Sequence, residues 1–267
     1  MKNIIHIELR KLVKSPAFWI ILGLYTLSLV TVLSGTESFI NHVVENARKN
    51  SPIPIPSFSL YAFPYVWHNM TYVAGFLKFL LACLVILFIT NEYTYRTIRQ
   101  NIINGMSRTS YFGSKVISLA LLSLFTSFIL VMNSLILGFA VTEEITLMLI
   151  LDKVFFVGVY FLEVFAFLSF AFMAATLLQK AGLAIIVFTI YVLIAEPILA
   201  FRLPEEIAWY LPMKSIGRMI DIPNTALMKL FGVNFRETVE WIDMLMVVAY
   251  SSIFLFFSYL KIRKSDI

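Results

Sequence analysis

Six long apolar runs dominate this sequence and limit the folds that it can adopt. An α-helix rises about 1.5 Å per residue, so about 20 apolar residues cross the hydrocarbon layer of a bilayer. Charged residues make up only 14% of the chain, whereas a soluble domain carries about a quarter. We therefore predict an all-α membrane protein that forms a single domain over residues 1–267. The predicted spans are, in chain order, about 17–35, 72–90, 116–141, 154–178, 182–201 and 244–260.

The basic residues predict how these spans are oriented. With six spans, the segments on the side of both termini hold 12 Lys or Arg in 51 residues, and the opposite segments hold 8 in 90. Because basic residues concentrate on the cytoplasmic side, both termini are predicted to be cytoplasmic. The same clustering beside apolar runs indicates membrane topology, with no nucleic-acid partner expected. The expected location is the cell membrane, a bacterial inner membrane or a plasma membrane.

The N-terminal segment, residues 1–16, is basic and amphipathic. Ile5, Leu9, Leu12 and Val13 recur at helical spacing, while charged residues occupy the other faces. This pattern predicts a short helix lying on the inner leaflet. A simple interfacial anchor and a specific architectural role remain open alternatives for it.

A compact polar stretch, residues 91–115, separates the second and third runs. Ile98, Ile102, Ile103 and Met106 form an apolar stripe at helical spacing, which predicts a short helix lying flat under the membrane. A plain connection between two spans needs only two to eight residues. An ordinary charged loop that sets topology is the alternative interpretation.

Local signals also predict how this short helix is bounded. Gly105 is suited to stop it, and Ser107 is suited to cap the helix that follows. Glu92 stands four residues before Arg96, which is the favourable order for an ion pair on a helix.

The residues from Asn91 to Arg99, followed by Gly105 to Arg108, resemble the permease subunits of ABC exporters of the type-2 family. The resemblance covers the whole chain, with a basic N-terminal helix, six spans and a basic tail. It implies that the short helix is the cytoplasmic coupling helix between spans 2 and 3. It also implies a re-entrant or interfacial helical segment between spans 5 and 6.

The resemblance implies partners as well. Two copies of an ABC ATPase subunit would dock under two permease chains, identical or related, within the bilayer. The chain has no G-x-x-x-x-G-K-[ST] loop, so the partner would bind ATP and Mg, and no cofactor is expected in this chain. The candidate docking residues are Glu92, Arg96, Thr97, Arg99, Gln100, Asn101, Asn104 and Arg108.

Three ionisable residues, Lys78, Glu163 and Glu196, fall inside predicted spans. Charges at such depth are costly and mark candidate functional sites. Lys78 is expected to pair with either glutamate, and Asn133 lies at a similar height. Pro197 removes a backbone hydrogen bond and is expected to kink its helix near Leu193. These residues are candidates for a substrate path or gate, and the alternative is that the charges fix helix packing or snorkel to the interface.

The fourth span is rich in phenylalanine, expected to face lipid or to pack against other helices. If a cavity shares these rings, the substrate would be apolar or amphipathic. Two other functions compete with transport. One is a non-transporting membrane partner of the ATPase. The other is an intramembrane enzyme, for which the paired glutamates at 143–144 and 205–206 lack a nearby His or any metal-ligand spacing, so no catalytic or metal-binding residue is predicted.

Overall fold

The computed structural model describes residues 14–50, 60–223 and 236–264, and within them the regular structure is helical throughout. A π-helical turn, Tyr191–Ala195, joins the eighth and ninth helices. The helices are α1 (Pro16–Asn50), α2 (Val66–Gly75), α3 (Lys78–Thr94), α4 (Thr97–Ile103), α5 (Arg108–Val141), α6 (Leu147–Leu151), α7 (Phe155–Leu178), α8 (Ala181–Ile190), α9 (Glu196–Arg202), α10 (Glu205–Ala208), α11 (Pro212–Gly217) and α12 (Trp241–Lys264).

Five stretches of the described chain are long and apolar enough to cross a membrane, and a bent helix pair makes a sixth if it is taken as one span. The helices mostly extend the predicted spans by several residues at their ends. The predicted helix over residues 1–16 lies almost wholly outside the described residues. The five stretches are Phe18–Thr36, Arg108–Val141, Leu147–Leu178, Ala181–Arg202 and Trp241–Lys264.

The second span differs from its prediction, because it is broken. α2 and α3 meet at an angle of 45° around residues 76–77, whereas a single span over 72–90 with Lys78 inside it was predicted. The amide of Leu77 bonds to the carbonyl of Ala74, three residues back, which is the tight geometry of a helix end. Lys78 therefore begins a new helix and does not lie within a continuous one.

The fourth span, α7, is the central helix of the bundle. It packs against α3, α5 and α12. Phe156, Phe167, Phe170 and Phe172 are all buried. These rings were expected either to face lipid or to pack against other helices. Because these four are buried, they pack against other helices.

Two short helices, α10 and α11, follow the fifth span before the chain enters α12. Arg218 stacks over the ring of Trp209 at 4.5 Å and lies 3.4 Å from the buried carboxylate of Asp243 in α12. Arg236 approaches the same carboxylate to 2.6 Å. The described part of this segment therefore contains two short helices and is joined to the last span by ion pairs.

Candidate functional site

The polar stretch between α3 and α5 forms the short helix that the sequence predicts. α4 begins after Arg96, whose backbone is left-handed with φ 55°, and is followed by Gly105 with φ 92°. Ser107 then caps α5, because its hydroxyl accepts a 3.1 Å hydrogen bond from the amide of Ser110. Reversals of the chain at both ends set α4 apart from the two spans beside it.

One face of α4 packs into the bundle. Ile98 is fully buried, and Ile102 and Met106 are half-buried. The remaining residue of the predicted stripe, Ile103, is 74% exposed and does not pack into the bundle. A helix of two turns can turn only a narrow strip of side chains inward, and Ile103 falls just outside it.

The candidate docking residues divide by exposure. Thr97, Asn101 and Arg108 are half-buried, and Glu92 is buried. The side chains that project freely are Arg96, Arg99, Gln100 and Asn104.

Glu92 faces the protein interior. Its carboxylate accepts hydrogen bonds from the Lys115 ammonium at 2.7 Å and from the Tyr111 hydroxyl at 2.6 Å. Arg96, the partner expected from the sequence, is exposed, and its ion pair with Glu92 stays a prediction. The left-handed backbone at Arg96 ends the helical register on which that pairing depended.

Lys115 was counted in the sequence only as a charge that sets topology. It is 1% exposed, and its ammonium also lies over the rings of Phe88 and Tyr111, at 5.1 and 4.9 Å. Tyr111 and Lys115 stand four residues apart on one face of α5, which is the only sequence signal that marks them as a pair. Together with Glu92 they bind the end of α3 to the start of α5.

Arg108 also turns inward, toward the end of the last span. Its guanidinium donates to the carbonyl oxygens of Ile262 and Arg263. Carbonyls at a helix C-terminus have no helical partner and carry partial negative charge, so a cation stabilises them. The start of α5 is thereby fixed to the end of α12.

A second group of candidate residues meets at the break in the second span. Lys78 forms an ion pair with Glu163 of α7 and lies over the ring of Phe167 at 5.2 Å. Of the two glutamates proposed as partners, the structure selects Glu163. Gly75 lies beside the carboxylate, because a Cβ at this position would be in van der Waals contact with Oε1 of Glu163, at 3.4 Å.

This ion pair lines a cavity of about 530 Å³. A second cavity of about 370 Å³ shares Lys78, Phe167 and Val192 with the first, and Glu196 and Pro197 lie in its wall. Four of the five path candidates therefore line two adjoining cavities. The fifth, Asn133, is half-buried in α5 and lines neither of them.

Glu196 also holds the chain together. Its Oε1 accepts a 2.7 Å hydrogen bond from the backbone amide of Lys214 in α11. The distortion expected near Leu193 is present as the π-helical turn, Tyr191–Ala195, just before Pro197. Proline has no backbone N–H to donate, and the altered hydrogen bonding of a π turn accommodates this missing bond.

The sequence was also compared with known protein families. The family model described as "ABC-2 family transporter protein" matches residues 2–267. The chain belongs to this family. A search of curated proteins finds no match.

Membership of the ABC-2 family confirms the resemblance that was drawn from residues 91–99 and 105–108. It identifies a multi-pass membrane protein of the ABC transporter class, consistent with the membrane-spanning helices. An ABC-2 permease implies an ABC ATPase as its partner.

Proposed function

We propose that this chain is the transmembrane permease subunit of an ATP-driven exporter in the cell membrane. Both termini would be cytoplasmic. A separate ATPase subunit would dock on residues 91–115, bind ATP and Mg, and carry out the hydrolysis. The chain itself would have no catalytic role, and its substrate would be apolar or amphipathic.

The observation that carries the proposal is the two-sided character of α4. Arg99, Gln100 and Asn104 project outward, while Ile98 on the opposite side is buried. A partner that contacts the exposed side chains would push on a helix that is seated in the bundle. The motion of the partner would then reach the spans without needing a separate linker.

The buried contacts beside α4 give that motion a route. Glu92 lies at the end of α3 and Lys115 lies in α5, and Arg108 contacts the end of α12. α3 carries Lys78 at its other end, beside the larger cavity. A displacement of α4 would therefore move α3, α5 and α12 together. Two such permease chains, identical or related, with two ATPases would form the transporter.

Co-purification of the ATPase tests the docking surface. The variant combines Arg99→Glu, Gln100→Ala and Asn104→Ala, and all three side chains are exposed, so folding should be preserved. Arg202→Glu is the matched control. It reverses the charge of an exposed arginine at the end of α9, outside the α4 surface. Both variants are purified in detergent beside the wild type.

We expect an ABC ATPase to co-purify with the wild type and with Arg202→Glu and to be lost from the triple variant. Equal recovery with the triple variant, at an unchanged elution volume, would reject docking on α4. Transport is measured separately in inverted membrane vesicles. ATP-dependent accumulation of an amphipathic substrate is expected, and bound ATPase without accumulation of any substrate would favour the non-transporting alternative.

A further inference from the structure

The ion pair at the broken span leaves hydrogen-bonding capacity unused inside the larger cavity. Glu163 is 3% exposed, and its Oε1 is occupied by Lys78. Its Oε2 is buried and has no hydrogen-bond partner among the residues that the structure describes. A buried carboxylate oxygen without a partner is costly, so a group that donates to it would be held firmly.

Lys78 offers the complementary groups. Its ammonium has three N–H donors, and one of them serves Glu163. Both side chains line the same cavity. The wall therefore presents further ammonium donors, and the unpartnered carboxylate oxygen is buried beside them, just behind the cavity surface.

The charges of the pair cancel, and this limits which head group fits. A cation that approached the carboxylate would also meet the ammonium, and an anion that approached the ammonium would also meet the carboxylate. An uncharged group that both donates and accepts hydrogen bonds, such as a hydroxyl, uses both sides without repulsion. It also brings no net charge into a site whose lining is mostly apolar.

The rest of the cavity is apolar. Its aromatic wall is formed by Tyr72, Phe76, Phe79 and Phe167. The volume of about 530 Å³ falls within the range of about 300–1,000 Å³ that small-molecule sites occupy. Such walls would receive the apolar body of a molecule whose polar end lies at the ion pair.

We propose that this cavity binds amphipathic molecules with an uncharged, hydroxyl-bearing head, which bonds to the Lys78 ammonium and, after a small rotation of the carboxylate brings it to the cavity surface, to Oε2 of Glu163. The proposal rests on the proposed transport function for its physiological meaning, because it names the substrate class that the permease would carry. Selectivity against charged heads comes from the neutrality of the ion pair.

Photo-crosslinking to the permease in lipid nanodiscs tests this selectivity. Three probes share a twelve-carbon chain with a diazirine at its end and differ in the head: a glycerol ester, a trimethylammonium group, or a phosphate monoester. Labelled peptides are mapped by mass spectrometry. With the wild type, we expect the glycerol probe to label the segments around Phe79 and Phe167 about tenfold more than either charged probe.

Single substitutions should change the preferred charge in opposite directions. Glu163→Gln leaves Lys78 uncompensated, so the phosphate probe should gain about tenfold in this cavity. Lys78→Gln leaves the carboxylate uncompensated, so the trimethylammonium probe should gain instead. The double variant Lys78→Gln/Glu163→Gln restores neutrality and should again prefer the glycerol probe, which shows that the site remains folded. Glu144→Gln, at an exposed turn, is the matched control and should behave as the wild type.

Equal labelling by all three probes, or labelling only of exposed residues, would mean partition into the bilayer alone and would overturn the proposal. A charge preference that the two single variants leave unchanged would overturn it as well. The assay needs no ATPase, so its result is independent of the docking experiment. If the ATPase fails to co-purify while the charge preference switches as expected, the binding site stands and the transport function falls.

Discussion

Lys115 and Glu92 form a buried ion pair, with 2.7 Å between the ammonium nitrogen and the carboxylate oxygen. The two residues lie on either side of α4, one in α5 and the other near the end of α3. The pair therefore links α3 to α5 at the two ends of the chain segment that contains α4.

Breaking this pair should destabilise the protein strongly. Lys115→Met removes the cation and leaves the Glu92 carboxylate buried, a change that costs about 3–5 kcal/mol. We expect a clear fall in the thermal unfolding midpoint. The midpoint is measured on the detergent-solubilised protein by size-exclusion chromatography after heating. Lys180→Met, at an exposed lysine, is the control and should change stability by less than about 0.5 kcal/mol.

The double variant Glu92→Gln/Lys115→Met tests whether charge is the cause. Removing both charges no longer leaves one member of the pair without the other, so a substantial part of the lost stability should return. The cycle also needs Glu92→Gln alone. If the double variant loses as much stability as Lys115→Met and Glu92→Gln lose together, the pair is not coupled and this explanation fails.

Gly138→Ala should destabilise the packing between α5 and the segment before α2. An added Cβ would lie 2.5 Å from Cζ of the buried Phe63 ring. Overpacking of this kind costs about 1–3 kcal/mol. Gly158→Ala is the matched control in α7, because a Cβ there meets nothing within 4 Å. The midpoints of both variants are compared by thermal unfolding, and equal stability would show that Phe63 moves aside without cost.

Gly105→Ala should loosen the end of α4. The backbone at this glycine has φ 92°, a region that costs an L-residue about 1–2 kcal/mol or more. Hydrogen exchange of the amides in residues 97–104 should accelerate, while exchange in α7 should not change. Gly113→Ala, in α5 and with free space around its Cβ, provides the control. Unchanged protection of α4 would show that the turn accepts a side chain.

The hydroxyls of Tyr25 and Tyr160 should be energetically coupled. They lie 3.1 Å apart in the buried contact between α1 and α7. Hydrogen bonds between membrane helices contribute about 0.6 kcal/mol on average and at most about 1.7. A double-mutant cycle with Tyr25→Phe and Tyr160→Phe should give a coupling in this range by reversible unfolding in mixed micelles. A coupling of zero would mean that the two hydroxyls contribute separately.

The amino-acid sequence by itself determined the class of the protein and most of its helices. Apolar runs of about 20 residues leave few alternatives to membrane-spanning helices, since their backbone groups must be satisfied within the segment. Local chemistry also fixed the end of α4 and the start of α5, because Gly105 and Ser107 act on their immediate neighbours. The motif at residues 91–99 carried enough information to indicate the family.

The tertiary structure alone decided which charged residues meet. Glu92 pairs with a lysine 23 positions away, and Lys78 pairs with a glutamate 85 positions away, and neither distance leaves a periodic signal in the sequence. The break at residues 76–77 was also not predicted, and Lys78 at the start of the new helix pairs with a residue of α7. Periodicity describes how one helix presents its faces, whereas contacts between helices depend on how the whole bundle packs.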